Sequence, residues 1–340
     1  MRTLLLSCCL IGLATTGLGQ TSGARNLAAF TDEEVVIRLK GYQLAGTLSL
    51  PRTARRRVPA VILITGSGQQ TRDEAIPIPG LENYRPFRQI AQHLAARGIA
   101  VLRVDDRGMG GSTGRETLAA ATTSSYADDV RAELAYLRGR REIDPNRVAL
   151  VGHSEGGSIA MMIAASDARI RAVALMAAMG KTGREVNLAQ QEEALAQATN
   201  LTEARRDELR AEQRRILQTV IEGGDASQLP PQARAYLPWF KEFLTFDPLA
   251  VMRRMRQPVL ILQGALDRQV TADQAPLLER AAREAGNRDV TVRVFPGLNH
   301  LFLPARTGAW SEYSTLTTTA LSTELLDALG TWLGARLNRS

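Results

Sequence analysis

Residues Val148-Ala149-Leu150-Val151 form an apolar run that enters Gly152-His153-Ser154-Glu155-Gly156-Gly157, and Ser158 to Ala165 continues as a helical pattern. This is the sequence of a strand-to-helix turn that holds a serine at its apex, with glycines where side chains would clash. A serine hydroxyl attacks a carbonyl carbon only when a base takes its proton, so the chemistry requires a histidine and a carboxylate that orients it. Three histidines are present. His93 falls in a helical pattern, and His153 neighbours the serine but points elsewhere on the turn, so both read as structural. His300 lies in Pro296-Gly297-Leu298-Asn299-His300-Leu301-Phe302, a loop after the last apolar run, from which it can reach back over the sheet. Gly264-Ala265-Leu266-Asp267 places a carboxylate after another such run. The candidate catalytic residues are therefore Ser154, Asp267 and His300, at the ends of three strands and in the order Ser, Asp, His.

The elements that must position them are legible in the hydrophobic pattern. Val35 to Leu39 and Leu44 to Leu50 alternate like half-buried antiparallel strands joined by a turn at Lys40-Gly41. Val58 to Thr65, Ile99 to Val104, Val148 to Gly152, Ile170 to Met176, Pro258 to Gln263 and Val290 to Phe295 are short apolar runs suited to a sheet covered on both faces. Helical patterns at Tyr84 to Arg97 and Ser125 to Leu137 lie between them, the second with Asp128 and Asp129 expected in its first turn. The expected fold class is α/β, a mostly parallel central sheet with helices on both faces. No strand-like run occurs over about 181–247, where Asn187 to Glu222 is helical and Pro230-Pro231 is expected to end the inserted helical region. This predicts a helical insertion able to lie over Ser154 as a lid. The following cluster of Trp239, Phe240, Phe243 and Phe246 reads as core packing.

Two further motifs carry a family resemblance. Asp105-Asp106-Arg107-Gly108-Met109-Gly110-Gly111-Ser112 fits D-x-R-G-x-G-x-S, and Thr65-Gly66-Ser67-Gly68 leads to Arg72-Asp73-Glu74. With the elbow at Gly152 to Gly157, the chain resembles the α/β-hydrolases over essentially all of Val35 to Leu337. It is similar to a bacterial exported serine esterase branch near the dienelactone-hydrolase and prolyl-oligopeptidase-like groups. Thr65 stands where histidine is common in the superfamily. The resemblance implies a mainly architectural role for the 105–112 motif and an oxyanion hole in the 66–68 loop. Glu155 would donate one backbone N–H, as the residue after the nucleophile, and Ser67 the other, with Gly68 the alternative. Arg72 and Asp73 read as braces of their loop.

Composition sets the bounds. The chain has 340 residues, 44% of them apolar, with 42 Lys+Arg against 35 Asp+Glu for a net charge of +7. It can bury a large core and is neither disordered nor collagen-like. Its basic residues are scattered, and the cluster at Arg52 and Arg55 to Arg57 reads as a solvated turn, so no nucleic-acid partner is expected. Asp105 and Asp106 come without a His or Cys cluster, and no phosphate-cradling glycine loop with a following lysine occurs, so no metal and no cofactor are expected. Residues 1–19 read as a signal peptide: Arg2, an apolar run from Leu4 to Leu18 too short to span a bilayer, and a small-residue site near Gly19. Its removal takes away Cys8 and Cys9. The expectation is a periplasmic or extracellular protein with no membrane span in the mature chain, its hydrolase domain covering 20–340.

Hydrolysis of a small-molecule carboxylic ester through an acyl-enzyme is the leading reading. A peptidase or aminoacyl-amide hydrolase and an acyltransferase are alternatives on the same fold, and a non-catalytic binding module is a further one.

Overall fold

A computed structural model describes residues 29–52 and 57–338. The expected signal peptide and the basic residues Arg55 and Arg56 lie outside the described residues. Eight strands form one sheet: β1 (Phe30–Arg38), β2 (Gln43–Pro51), β3 (Val58–Ile64), β4 (Ala100–Val104), β5 (Ile143–His153), β6 (Ile170–Met176), β7 (Val259–Gly264) and β8 (Val290–Phe295), in the order β1-β2-β4-β3-β5-β6-β7-β8. The hairpin β1–β2 and the pair β2–β4 are antiparallel, and every other pairing is parallel. This is the expected mostly parallel sheet. The predicted strands all form, although β2 is buried along nearly its whole length where a half-buried strand was expected.

The alternation of side chains across the sheet separates two cores. Ile62, Leu150 and Ile261 face one side, with α2 (Thr123–Gly139), α3 (Glu155–Ala164), α8 (Pro248–Met252) and α9 (Gln274–Glu284). Val61, Val151 and Leu262 face the other, with α1 (Pro86–Ala95) and α10 (Thr323–Leu337).

Between β6 and the short α8 the chain makes α4 (Gly183–Gln197), α5 (Glu203–Glu222), α6 (Pro231–Ala235) and α7 (Leu237–Thr245). These helices have a third core, in which Val186, Leu217, Trp239, Phe240 and Phe243 pack with Met179 and Val270. Trp239, Phe240 and Phe243 thus pack in a core as read from the sequence, while Phe246 packs against the main sheet. Two local readings need correction. The Pro230-Pro231 pair does not end the inserted helical region, because Pro231 begins α6 at the first helical position, where its missing N–H costs nothing, and α7 follows. Asp128 and Asp129 are not in the first turn of α2. That helix begins at Thr123, because Thr122 and Ser125 exchange side-chain and backbone bonds in a capping box.

Candidate active site

β5 runs into α3 through Ser154, whose φ of 53° and ψ of −120° lie in a region a side-chain-bearing residue occupies only under constraint. The constraint is visible in the neighbours. A Cβ at Gly152 would fall 2.1 Å from the Gly156 carbonyl oxygen, and one at Gly156 would fall 2.2 Å from that of Ile64. Only glycine lets strand, turn and helix approach so closely. Ser154 N–H donates to the Met176 carbonyl (2.8 Å), which fixes the turn to the end of β6.

Asp267 and His300 meet on the loops after β7 and β8. His300 Nδ1 lies 2.8 Å from Asp267 Oδ2, with both side chains nearly excluded from solvent. Asp267 is itself held: Oδ1 accepts from the backbone N–H groups of Gln269 (2.8 Å) and Val270 (2.9 Å), and Oδ2 from Gln263 Nε2 (3.0 Å). Buried Asn299 shapes the His300 loop, its Oδ1 accepting from the N–H groups of Leu301 and Leu303. A carboxylate on Nδ1 fixes the tautomer and leaves Nε2 as the basic nitrogen. Ser154 and His300 line one cavity that is partly open to solvent, together with Gly66, Ser67 and Gly68. The structure thus places Ser154, His300, Ser67 and Gly68 on one cavity, with Asp267 bonded to His300 and Glu155 following Ser154 in the chain.

The oxyanion-loop candidates narrow on one point. Gly66 N–H is already committed to Glu74 Oε1 at 2.7 Å, which leaves Ser67 and Gly68 as the loop's candidate donors. Glu155 begins α3, so its N–H is one of the unpaired donors at a helix N-terminus, where the helix dipole favours negative charge.

Several supporting contacts were not legible in the sequence. The Glu155 carboxyl is buried, and Oε1 accepts from Thr123 Oγ1 (2.6 Å) and Trp239 Nε1 (2.8 Å). Burial raises its pKa, against hydrogen bonds from Thr123, Trp239 and Ser67. Asp106 accepts from Gln70 N–H (2.8 Å) and Thr65 Oγ1 (3.0 Å), and burial pushes its pKa up to about 8. Asp105 accepts from Arg72 N–H (2.7 Å), Arg72 Nη2 (2.8 Å) and Gly111 N–H (2.9 Å), while Asp73 pairs with Arg103. Arg72 and Asp73 brace their loop as read. Asp129 does not serve a helix end: it takes a two-point contact from Arg107 (2.5 and 2.9 Å) and the hydroxyl of Tyr42. His93, on α1, lies 3.5 Å from Asp327. Among the described residues no group of three or more His, Cys, Asp and Glu could hold a metal ion, and no helix is long and apolar enough to cross a membrane.

Comparison with known proteins agrees with this architecture. The family described as serine aminopeptidase, S33, matches residues 79–304. Esterase EstD of Thermotoga maritima is 27% identical over 277 residues, 80% of this chain but 60% of that protein, so the chain spans less than two thirds of this relative. The quorum-quenching protein AidA of Acinetobacter baumannii is 39% identical over 98 residues, 28% of this chain and 31% of its own. Among solved structures, the Pyrococcus furiosus esterase Pf2001 superposes with a TM-score of 0.59 at 14% identity, covering 96% of this chain and all of that one. Est1E of Butyrivibrio proteoclasticus with ferulic acid bound gives 0.56 at 15%, covering 90% and all of that chain. At such identities the structural matches speak for the fold alone. The sheet order, the two covering helical layers and the match over most of the chain together establish that this protein is an α/β-hydrolase of the serine aminopeptidase S33 family.

Proposed function

We propose that the protein is an exported serine esterase. Ser154 Oγ attacks the ester carbonyl as His300 Nε2 takes its proton, and the Asp267 carboxylate holds the Nδ1–H and stabilises the imidazolium that forms. The N–H groups of Glu155 and Ser67, or Gly68 in its place, receive the developing oxyanion. His300 returns the proton to the departing alcohol, and water, activated in the same way, releases the acyl group from Ser154. The helices of 181–247 act as a lid that supplies Val186, Gln190 and Phe243 to the cavity wall. The observation that carries this reading is Ser154 held at positive φ in the same cavity as a buried His300–Asp267 pair.

The same cavity favours a neutral ester over an aminoacyl amide. Among the described residues lining it, Glu74 is the one acidic side chain, and its Oε1 is occupied by Gly66 and His153. A free α-ammonium group would be taken from water with only this part-engaged carboxyl to meet it, which is costly. Ile76, Ile78, Met179, Val186, Phe243 and Leu301 suit an apolar acyl or alcohol group. Export is supported by the leader-like residues 1–19, and mass spectrometry of the mature chain would test it: an intact Met1 would refute it.

Turnover of short acyl 4-nitrophenyl esters beside aminoacyl 4-nitroanilides tests the function. Esters are expected to be cleaved, and Ser154→Ala is expected to lower kcat by at least about 1000-fold with the fold intact. Retained turnover in that variant would refute the mechanism. Preferential cleavage of the anilides would move the assignment to a peptidase.

A further inference from the structure

Glu74 and His153 are buried ionisable side chains that no step above uses, yet they connect the parts that do the chemistry. Glu74, 4% exposed, follows Arg72-Asp73 with a φ of 54°, a left-handed conformation that a glutamate keeps only where its surroundings enforce it. Its Oε1 accepts from Gly66 N–H (2.7 Å) and lies 2.9 Å from His153 Nδ1. The other ring nitrogen, His153 Nε2, lies 3.0 Å from the backbone carbonyl of His300. A carbonyl oxygen only accepts, so Nε2 must carry a proton. Nδ1 then faces the carboxyl as part of an imidazolium–carboxylate pair, or accepts from the neutral acid. In either form one proton is held between them. Burial works against the imidazolium, but the charge and hydrogen bond of Glu74 and the His300 carbonyl outweigh it and leave the His153 pKa raised. Around the ring, Glu74 meets Nδ1, the His300 ring lies 4.8 Å away between centroids, and Phe302 closes the remaining side edge-on, with Asp267 acting from further off.

We propose that Glu74 and His153 form a second acid–imidazole pair of positioning residues, which holds the oxyanion loop and the general base in register. The carboxylate anchors that loop at Gly66, the Nε2–H anchors the backbone of His300, and the bond between them makes the two anchors one unit. The proposal rests on the reading of Ser154 and His300 as nucleophile and base. Freed from each other, the loop and the histidine would drift separately, and misplacement by about 1 Å at such a centre costs on the order of 100-fold in rate.

The proton count can be read in the unaltered protein. With three histidines in the chain, ¹⁵N-histidine labelling gives few ring signals, and His93→Gln, at a residue that does not line the cavity, assigns one of them. His153 is expected to carry a proton on Nε2 at neutral pH; a bare Nε2 there overturns the proposal without any change to the site. Glu74→Gln, which keeps the side chain's shape, is expected to lower kcat on 4-nitrophenyl butyrate about 10- to 100-fold, to leave KM within about two-fold and to shift the His153 ring signals. Glu74→Asp should recover part of the loss. A Glu74→Gln protein that melts lower but turns over at the wild-type kcat would make the pair a stability element and overturn the proposal. Labelling by a fluorophosphonate separates the two levels: unlabelled wild type defeats the reading of Ser154 itself, whereas labelled wild type with an unaffected Glu74→Gln kcat defeats only this proposal.

Discussion

The indole of Trp239, on α7 of the insertion, donates to the carboxyl of Glu155 at 2.8 Å, one residue beyond Ser154. Glu155 also takes a bond from Thr123 at the start of α2. The side chain of one candidate oxyanion donor therefore ties the start of α2 to the insertion.

Trp239→Phe keeps an aromatic ring in the third core and deletes this one donor. An unmet hydrogen-bond need at a buried carboxyl costs about 1–3 kcal/mol, so a lower melting temperature is expected together with a several-fold loss of kcat. Thermal melting and steady-state kinetics on the same preparation check it, and unchanged values in both would show the bond to be idle.

Asp267→Asn should preserve the loop but reverse the tautomer logic at His300. Asparagine can offer an N–H where the carboxylate accepts one, and the imidazole would then present its Nδ1 lone pair inward and a useless proton at Nε2. A loss of kcat on the order of 10⁴ is expected. The measurement is kcat at neutral pH on a freshly folded sample, and a loss below about tenfold would exclude the assigned role.

Asp106 gives a stability that falls with rising pH. Its folded pKa of about 8 stands above the 3.8 of an unperturbed aspartate, so the native protein holds a proton that the unfolded chain releases. The contribution is complete below about pH 4 and is lost as pH rises towards 8. Denaturant titrations between pH 5 and pH 9 should show a declining midpoint, and Asp106→Asn should flatten that decline. An equal slope in both proteins would contradict it.

Gly156→Ala should not yield a soluble enzyme. The added carbon would stand 2.2 Å from the Ile64 carbonyl and 2.4 Å from that of Thr65, both main-chain atoms of β3 and its exit. Main chain in the middle of a sheet cannot swing aside as a surface side chain can. Soluble expression with intact near-ultraviolet dichroism would count against the geometry.

Phe243→Ala should widen the acyl preference. Phe243 belongs to the third core and also lines the cavity, so its removal lengthens the space open to substrate while loosening the insertion. A series of 4-nitrophenyl esters of increasing chain length should show the optimum move to longer chains. An unmoved optimum would place the acyl group elsewhere in the cavity.

How far the sequence leads depends on whether a residue's task is local. β3 follows the apolar run read from Val58 to Thr65, because a strand covered on both faces has little choice but to be apolar throughout. Ser154 was legible because its turn demands glycines two residues to either side. Asp267 and His300 followed from chain order and from standing just beyond strands. Glu74 and Trp239 were not legible: their partners lie 79 and 84 residues away, at His153 and Glu155, and no local pattern marks a carboxyl that answers an indole across the fold. Glu74 sits in a motif that carried the resemblance, but a positive φ leaves no trace in residue type unless it falls on glycine or asparagine. Asp129 was misread for a related reason. Its position near the start of α2 suggested a dipole partner, whereas its actual partners, Tyr42 and Arg107, come from the β1–β2 hairpin side and the 105–112 loop.

The third core has one more implication. The chain makes its longest departure from the sheet after β6 and returns at α8 and β7, and in between it builds helices whose apolar interior is shared only with Met179, Val270 and partly buried Tyr126. Such an excursion is a cassette: a shorter or differently shaped helical segment could be spliced between the same two points while β5, β7 and β8 keep their ends in place. A replacement would have to bring its own hydrogen-bond donor to the spot where Trp239 meets Glu155, and an acceptor for the start of α2, where Glu242 now receives the Ser124 N–H.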